Sequence, residues 1–407
     1  MAPVLIIGGG ISGLCLAQAL SKLKIDFKVF ERDPSTSFRG QGYRIRLAIG
    51  TDVIKQVTPP NVAKLFADTC AIDPQSMQKF NAITHESIPS QFGGEARLKV
   101  WAKGTPSTVD RTTLRNVLTT DIGERIIFGK SFTRYEVDEN GVTAYFSDGT
   151  SERGSLLVGA EGKNSRVAKQ LAPKNPLLDT EGRIFYGKTP LTPDLRELSS
   201  IRGWNGMQVF EDRKADRSPL LMFHENICWS DEIRNGIKDI SLPPDYIYWV
   251  LVTQLSNLPW SDEELASFNA GRVAEATLAL TKDWNSDIRC VFENQDKSQV
   301  AVLKITSAPS EIQAWDSSRF VTIIGDAAHA MPPTGASGAN TALKDVELLV
   351  AQIEKHSING LTAEGIRAYE DEMRKYASEF LKLSFGAAAS MIGQKPMEEL
   401  KPVTDRW

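Results

Sequence analysis

Residues 4–31, VLIIGGGISGLCLAQALSKLKIDFKVFE, limit the fold more than any other stretch of the chain. Val4 to Ile7 form an apolar run without alternation, the pattern of a short strand covered on both faces. Gly8, Gly10 and Gly13 follow in the spacing G-x-G-x-x-G. Ile11, Leu14, Ala17 and Leu20 then recur at three-residue steps, which marks one face of a helix. DFKVFE is a second strand, ending at Glu31. Each glycine has a physical task. Gly8 allows a tight turn, Gly10 lets bare backbone approach a pyrophosphate, and Gly13 lets helix and strand pack closely. The helix N-terminus offers free N–H groups and a partial positive charge. Glu31 is placed to accept hydrogen bonds from a ribose diol. Ser12 in the turn and Arg32 beside the acid complete this candidate cofactor set. The competing reading is a glycine-rich turn with no ligand, and the strand, helix and acid at their proper distances count against it. FAD and NAD(P) share this site design, so the motif alone leaves the dinucleotide open.

Composition narrows the partners. The 407-residue chain has room for two domains or one elaborated one. Its net charge of -4 gives no basic field for nucleic acid. Hydrophobic content of 41% and charged content of 24% are ordinary for a soluble globular protein. Cys15, Cys70, Cys228 and Cys290 lie far apart and form no C-x-x-C, so a reducing, cytoplasmic setting is expected, without a zinc ribbon or dithiol centre. No His-rich or Cys/His cluster suggests a metal. No apolar run approaches the ~20 residues that span a bilayer. The N-terminal apolar run lacks a basic flank and is broken by three glycines, so it reads as strand, turn and helix rather than as a signal peptide. No internal repeat suggests a solenoid or propeller.

Two further stretches carry motifs. GSLLVGAEGKNSRVAKQL, residues 154–171, reads as a strand, a turn through Gly159 and Gly162, and a helix. VTIIGDAAHAMPPTGASGANTAL, residues 321–343, is a strand that delivers Asp326 to a loop. Pro332 and Pro333 stiffen that loop. A helix follows from Asn340, with Leu343, Val346, Val350 and Ile353 on one face. In this order the three motifs resemble those of the class A flavoprotein monooxygenases, the para-hydroxybenzoate hydroxylase-like family, from residue 4 to about residue 355. The resemblance implies bound FAD, with NADPH or NADH as electron donor. It implies that Asp326 accepts from ribityl hydroxyls, and that Gly335, Gly338 and Ala339 pass bare backbone against the isoalloxazine. The helix from Asn340 would aim its dipole at the N1–C2=O edge, where reduced flavin is anionic. Arg111 in VDRTTLRNVL matches a family cofactor contact. In GQGYRIRL, either Arg44 or Arg46 would face the flavin, with Arg44 the better placed. His329 would be framework. Two departures concern the middle motif: Glu161 stands where the family has Asp, and Ala168 where an Arg is common, although Arg166 is near.

The implied fold class is α/β. A Rossmann-like, discontinuous FAD-binding domain would comprise residues 1–75, 95–170 and 295–355. A mostly antiparallel sheet would occupy residues 76–94 and 171–294, and a helical segment residues 356–407. The runs LLMFHENICW and DYIYWVLVTQ suit such a sheet. Phe185, Tyr186, Met222, His224 and Trp229 are candidate substrate contacts, each with core packing as its plainer reading. Arg183, a cation beside an apolar-aromatic run, is the candidate catalytic residue. The family chemistry inserts one oxygen atom from O2, by hydroxylation or epoxidation, into an aromatic or polycyclic small molecule of secondary metabolism. It proceeds through a flavin C4a-hydroperoxide. A monomer or homodimer is expected. The alternatives are an FAD-dependent dehydrogenase or oxidase, and a non-redox FAD-fold binding protein, against which the Asp326 motif argues. The W-x-W-x-I-P run of flavin halogenases is absent.

Overall fold

An unbroken apolar run such as Val4–Ile7 belongs in the middle of a sheet. The computed structural model, which describes residues 2–36, 38, 43–72, 76–89 and 104–403, puts it there. β1 (Val4–Ile7) has neighbours on both edges, and its residues are at most 2% exposed. α1 (Ile11–Lys22) and β2 (Phe27–Phe30) follow. β3 (Arg44–Leu47) leads to α2 (Ile49–Val57) and α3 (Pro60–Thr69). β4 (Met77–Asn81) leaves for another sheet, and β5 (Ser107–Asp110) returns to pair with β3 and open α4 (Arg111–Leu118). β6 (Ile126–Ile127) precedes a meander of β7 (Phe132–Asp138), β8 (Gly141–Phe146) and β9 (Ser151–Gly154). β10 (Leu156–Gly159) then runs to α5 (Arg166–Leu171).

The second domain begins with β11 (Leu178–Pro190), α6 (Pro193–Ile201), β12 (Met207–Asp212), β13 (Leu220–Ile227), α7 (Asp231–Gly236) and β14 (Tyr246–Gln254). α8 (Asp262–Ala266), α9 (Ala270–Leu280), α10 (Ser286–Glu293) and β15 (Ala301–Ser307) complete it. The chain re-enters the first domain at β16 (Val321–Ile323) and α11 (Asp326–His329). α12 (Gly338–Gly360), α13 (Ala363–Ile392) and β17 (Lys401–Pro402) follow.

The first sheet has the order β16-β10-β1-β2-β6, with every pair parallel. The second has the order β15-β11-β14-β13-β12-β4, antiparallel except for β12–β4, and β17 pairs with β11. The expected return to the first domain at residue 295 is too early. β15 pairs with β11, so the second sheet claims the chain as far as Ser307. The expected boundaries at residue 75 and at 94–95 lie outside the described residues, as do Gly40 to Gly42 of the loop before β3. No described helix is long and apolar enough to cross a membrane.

Period-two alternation gives the second sheet two different faces. On one face Phe185, Phe210, Met222, Trp249 and Leu251 form a core with Leu265, Val273, Ile288 and Phe292 of α8 to α10. The other face meets the first domain. There Lys188 Nζ and Tyr246 OH both donate to Asp110 Oδ2, at 2.8 and 2.9 Å. Asp110 also caps α4, accepting from Thr113 N–H at 3.0 Å. α13 braces both domains. Its Tyr369 OH donates to Ile323 O at 2.8 Å, and its Met391 and Ile392 pack with Leu221 and Val252 of the second sheet.

The Asp110 junction makes a testable demand. Asp110 is 1% exposed and Lys188 8%, so removing one charge strands the other in a poorly solvated place. Breaking a buried ion pair from one side costs about 3–5 kcal/mol, whereas replacing both partners by apolar groups can be nearly neutral. Urea denaturation should therefore show a loss of that order for Asp110→Asn, and most of it should return when Lys188→Met is added. Equal losses in the single and double variants would mean that Lys188 contributes little and that the junction works through the Tyr246 hydroxyl.

Candidate active site

α1 and α12 both begin without a cap. Gly10 is the N-cap of α1 and Ser337 that of α12; neither helix has a side-chain cap or an acid in its first turn. Asp110, Ser165, Ser261, Asn269 and Thr362, by contrast, cap their own helices with side-chain oxygens. The two bare ends share one place. Ser12 Oγ is 3.0 Å from where a Cβ on Gly325 would stand, and Asp326 Oδ1 is 4.0 Å from the corresponding point on Gly338. Two uncapped helix starts with an acid between them form a cradle of N–H donors and partial positive charge.

The glycines show where that cradle is open. A Cβ on Gly8, whose φ is +108°, would stand 2.4 Å from Ala160 O, and one on Gly13 would stand 2.1 Å from Gly8 O. These two positions close the turn and pack the helix. At Gly10 the nearest atom is 3.8 Å away, and at Gly338 it is again 3.8 Å. Backbone is bare there with space beside it, which suits a long, phosphate-bearing ligand. The donor set therefore fits FAD. Among the described residues, no group of three or more His, Cys, Asp or Glu is placed to hold a metal ion.

Glu31 is 8% exposed and already works for the fold. Its Oε2 accepts from Gly9 N–H at 2.8 Å and its Oε1 from Asp33 N–H at 3.0 Å. Each carboxylate oxygen can still accept another bond. Arg115, missed in the sequence, supports the same loop: Nε donates to Gly9 O at 3.2 Å and Nη1 to Thr36 O at 3.1 Å. Its only sequence signal is its position one turn after Arg111 on a helix that begins at the site.

Solvent reaches Asp326 through the cleft, yet protein crowds it closely enough that burial pushes its carboxyl pKa up, against the pull of His329, Lys163 and Arg111. A cleft of about 360 Å³ beside it is also lined by Lys163, Asn164, Ser165 and Trp315. Lys163 was likewise missed; its Nζ donates to Lys304 O at 3.1 Å, bridging to the second sheet. Arg111 lies over the Tyr43 ring, 5.3 Å from its centroid. Tyr43 in turn meets Tyr186 edge-on, with centroids 5.7 Å apart. A chain of contacts thus leads from Arg111, whose charge acts on Asp326, to the underside of the second sheet.

Glu161 explains its departure from Asp. Its Oε1 accepts from the N–H groups of Arg166 and Val167, at 3.1 and 3.3 Å, and its Oε2 takes the Ser165 hydroxyl. The longer side chain serves the start of α5. Arg166 points elsewhere, with Nη1 donating to Phe132 O at 2.6 Å.

Several expected site residues are committed to other work. Arg44 forms an ion pair with Glu225 of the second sheet and lies over the Tyr248 ring, so its charge links the domains rather than awaiting a cofactor. Asn340 Oδ1 accepts from Ala48 and Gly50 N–H at 2.8 and 3.1 Å, while its Nδ2 donates to Arg46 O and Ala336 O. Its side chain fastens α12 to the β3–α2 turn. Gly335 is needed for packing, because a Cβ there would be 2.5 Å from Ser384 Oγ. Arg32 is exposed, and Ala339 is partly buried against the core. Arg183 is wholly buried. Nε and Nη2 donate to Asp262 at 2.7 and 2.6 Å, Nη1 and Nη2 to Asp179 at 2.9 and 3.0 Å, and Nη1 to Gly182 O at 2.9 Å. All five guanidinium donors are spent, which corrects the catalytic assignment. Phe185, Met222 and His224 are also corrected. Phe185 and Met222 join the core under α8 to α10 and His224 packs against Trp204 and Phe210 of that same core, and burial pushes the His224 pKa down to about 3, so the ring is neutral. Trp229 ties β13 to α3, its Nε1–H donating to Thr69 O at 2.9 Å. Of the five expected substrate contacts, Tyr186 and Trp229 face the first domain, and Tyr186 is the one that meets Tyr43.

Comparison with known proteins places this geometry. Residues 6–69 match the model of an NAD(P)-binding Rossmann-like domain, and residues 293–384 that of an FAD binding domain. A dual O-methyltransferase/FAD-dependent monooxygenase of Phaeosphaeria nodorum is 37% identical, across 98% of this chain and 47% of that protein. The chain thus spans about half the length of that relative. An FAD-dependent monooxygenase of Trichoderma harzianum is 27% identical, across 93% of this chain and 89% of its own. A Photorhabdus luminescens structure described as an FAD-containing monooxygenase has a TM-score of 0.77 at 26% identity, covering 96% of this chain and 99% of that one. The 2,6-dihydroxypyridine-3-hydroxylase of Arthrobacter nicotinovorans shares the fold, with a TM-score of 0.71 at 18% identity over 100% of this chain and 98% of its own. With its three motifs in order and its bare helix starts around Asp326, the chain carries the FAD binding and NAD(P)-binding Rossmann-like domains and is similar along its length to FAD-dependent monooxygenases, as the class A resemblance implies.

Proposed function

We propose that this protein is an FAD-dependent monooxygenase that uses NAD(P)H and dioxygen to insert one oxygen atom into an aromatic or polycyclic small molecule. The observation that carries the reading is the cradle of two bare helix starts around Asp326, with Arg111 over the Tyr43 ring and Tyr43 edge-on to Tyr186 of the second sheet. Bound FAD would supply electron transfer from NAD(P)H and the activation of dioxygen. The chain's own residues bind, orient and exclude water. Glu31 would take the adenosine ribose, the start of α1 the pyrophosphate, Asp326 the ribityl chain, and the start of α12 the electron-rich edge of the ring.

Tyr43, Tyr186 and Tyr248 suit a flat aromatic substrate, because aromatic rings pair edge-to-face or offset at little entropic cost. Relatives that join such a monooxygenase to an O-methyltransferase support a substrate that already carries a hydroxyl or methoxyl group. Neither Arg183 nor the back-face residues enter this reading.

Three outcomes test it. Purified protein supplied with FAD should oxidise NAD(P)H faster when a hydroxylated aromatic is present, and heavy dioxygen should place one labelled oxygen in the product. Hydrogen peroxide as the sole oxygen product with every aromatic tried would favour an oxidase. Glu31→Gln should weaken FAD by roughly 10- to 150-fold, the equivalent of one charge-assisted hydrogen bond of ~1.5–3 kcal/mol, and leave FMN nearly unchanged because FMN has no adenosine ribose. Parallel loss of both flavins would confine Glu31 to its backbone bonds. Tyr186→Leu, in flavin-loaded protein, should keep NAD(P)H oxidation but divert much of it to peroxide, since oxygen transfer requires a productive substrate pose. Unchanged coupling would remove Tyr186 from the substrate site.

A further inference from the structure

The turn that presents Asp326 is held from behind by a buried polar cluster. Gly325 sits at φ +65°, which glycine adopts without strain, and its N–H is left pointing at α12. Support comes from α12. Asp345 Oδ2 accepts from Gly325 N–H at 2.6 Å and pairs with His329 Nε2 at 2.7 Å. Asp345 Oδ1 accepts from the Tyr376 hydroxyl of α13. Asp345 and His329 are both 0% exposed. One carboxylate therefore fixes the residue before Asp326 and the residue three after it.

We propose that Asp345 and His329 are positioning residues for the flavin cofactor, holding the Gly325–Asp326 turn so that Asp326 meets FAD and tying FAD affinity to the positive charge on His329. The proposal rests on the FAD reading above. A buried carboxylate requires a compensating charge, and His329 is its ion-pair partner. The same imidazolium lies close enough to Asp326 to favour its ionised form. Among the described residues, Asp345 opposes the charge on Asp326, while His329, Lys163 and Arg111 favour it. Asp345 faces His329 from α12, Tyr376 and Tyr369 approach Asp345 from α13, and Lys163 and Arg111 approach Asp326 from the turn before α5 and from α4. Among the described residues, Asp345 is the side chain that pairs with the His329 ring.

The direction of the pH effect follows. Burial alone would push the His329 pKa down, but Asp345, with help from Asp326, holds it above the ordinary histidine value. The charge is thus present at neutral pH and is lost as pH rises through that raised value. FAD affinity should then fall, because Asp326 and Asp345 remain beside an anionic ligand with less compensation. Acidification toward the ordinary histidine range of ~6.5 should leave this contribution intact.

The test is FAD titration by flavin fluorescence across pH, for wild type, Asp345→Asn, His329→Gln, Asp326→Ala and the Asp345→Asn/Asp326→Ala double variant. Asp345→Asn should raise the FAD dissociation constant about tenfold at neutral pH, and by less than about threefold when Asp326 is already absent, because residues acting through one another are not additive. His329→Gln should flatten the alkaline fall in affinity. Equal losses from Asp345→Asn in both backgrounds, or an unaltered pH profile in His329→Gln, would overturn the proposal. If Asp345→Asn does not fold, Tyr376→Phe takes its place in the same cycle with a smaller expected loss, and additivity there overturns it equally. Wild type that binds no FAD would overturn both this proposal and the FAD reading, whereas a tight wild type with additive variants would overturn this proposal alone.

Discussion

Two helix N-termini without side-chain caps, converging on one acid, are the constraint around which the molecule is arranged. A bare helix start is unfavourable unless water or a ligand satisfies its N–H groups. Asp110, Ser165, Ser261, Asn269 and Thr362 cap their own helices; α2 and α3 also start without a side-chain cap, and what sets α1 and α12 apart is that their starts flank Asp326. The parallel sheet brings them together. β10 lies between β1 and β16, which delivers the Gly8–Gly13 turn and the Gly325–Asp326 turn to the same edge of one sheet. This is where ligands bind in open parallel sheets, outside the carboxyl ends of the strands.

The second sheet completes the arrangement by how its faces are divided. One face is sealed by α8 to α10, and the other is tied to the first domain through Asp110, Lys188, Tyr246, Arg44 and Glu225. Asp110 holds the roof and also caps the helix that begins with Arg111. The roof and one wall of the cofactor cleft therefore share a single carboxylate.

These relations explain what could be read from the sequence. Gly8, Gly10, Gly13 and Asp326 are legible because backbone geometry and strand ends dictate residue type locally. The parallel sheet and the antiparallel one were legible from their contrasting patterns for the same reason. The task of the Asn340 side chain was not, since its amide oxygen accepts from Ala48 N–H, 292 positions away. Arg44 finds Glu225 at a separation of 181 residues, which no local pattern reports. Arg183 resembles an active-site cation in sequence because its two carboxylate partners, Asp179 and Asp262, are not recognisable as partners until the fold forms. Alternation along β11 and β13 distinguishes two faces but not which one helices will cover, so Phe185, Met222 and His224 were placed on the wrong side. β15 has no signal to separate the two sheets; its pairing with β11 decides.

In the flavin-loaded protein, one ligand would satisfy both bare helix starts. Amide hydrogen exchange of the wild-type protein during an FAD titration tests it most directly. The predicted result is that exchange at Ile11, Ser12 and Gly13 and at Gly338, Ala339 and Asn340 slows together, with one shared midpoint. Slowing confined to the first group, with the start of α12 unaffected at saturation, would contradict it.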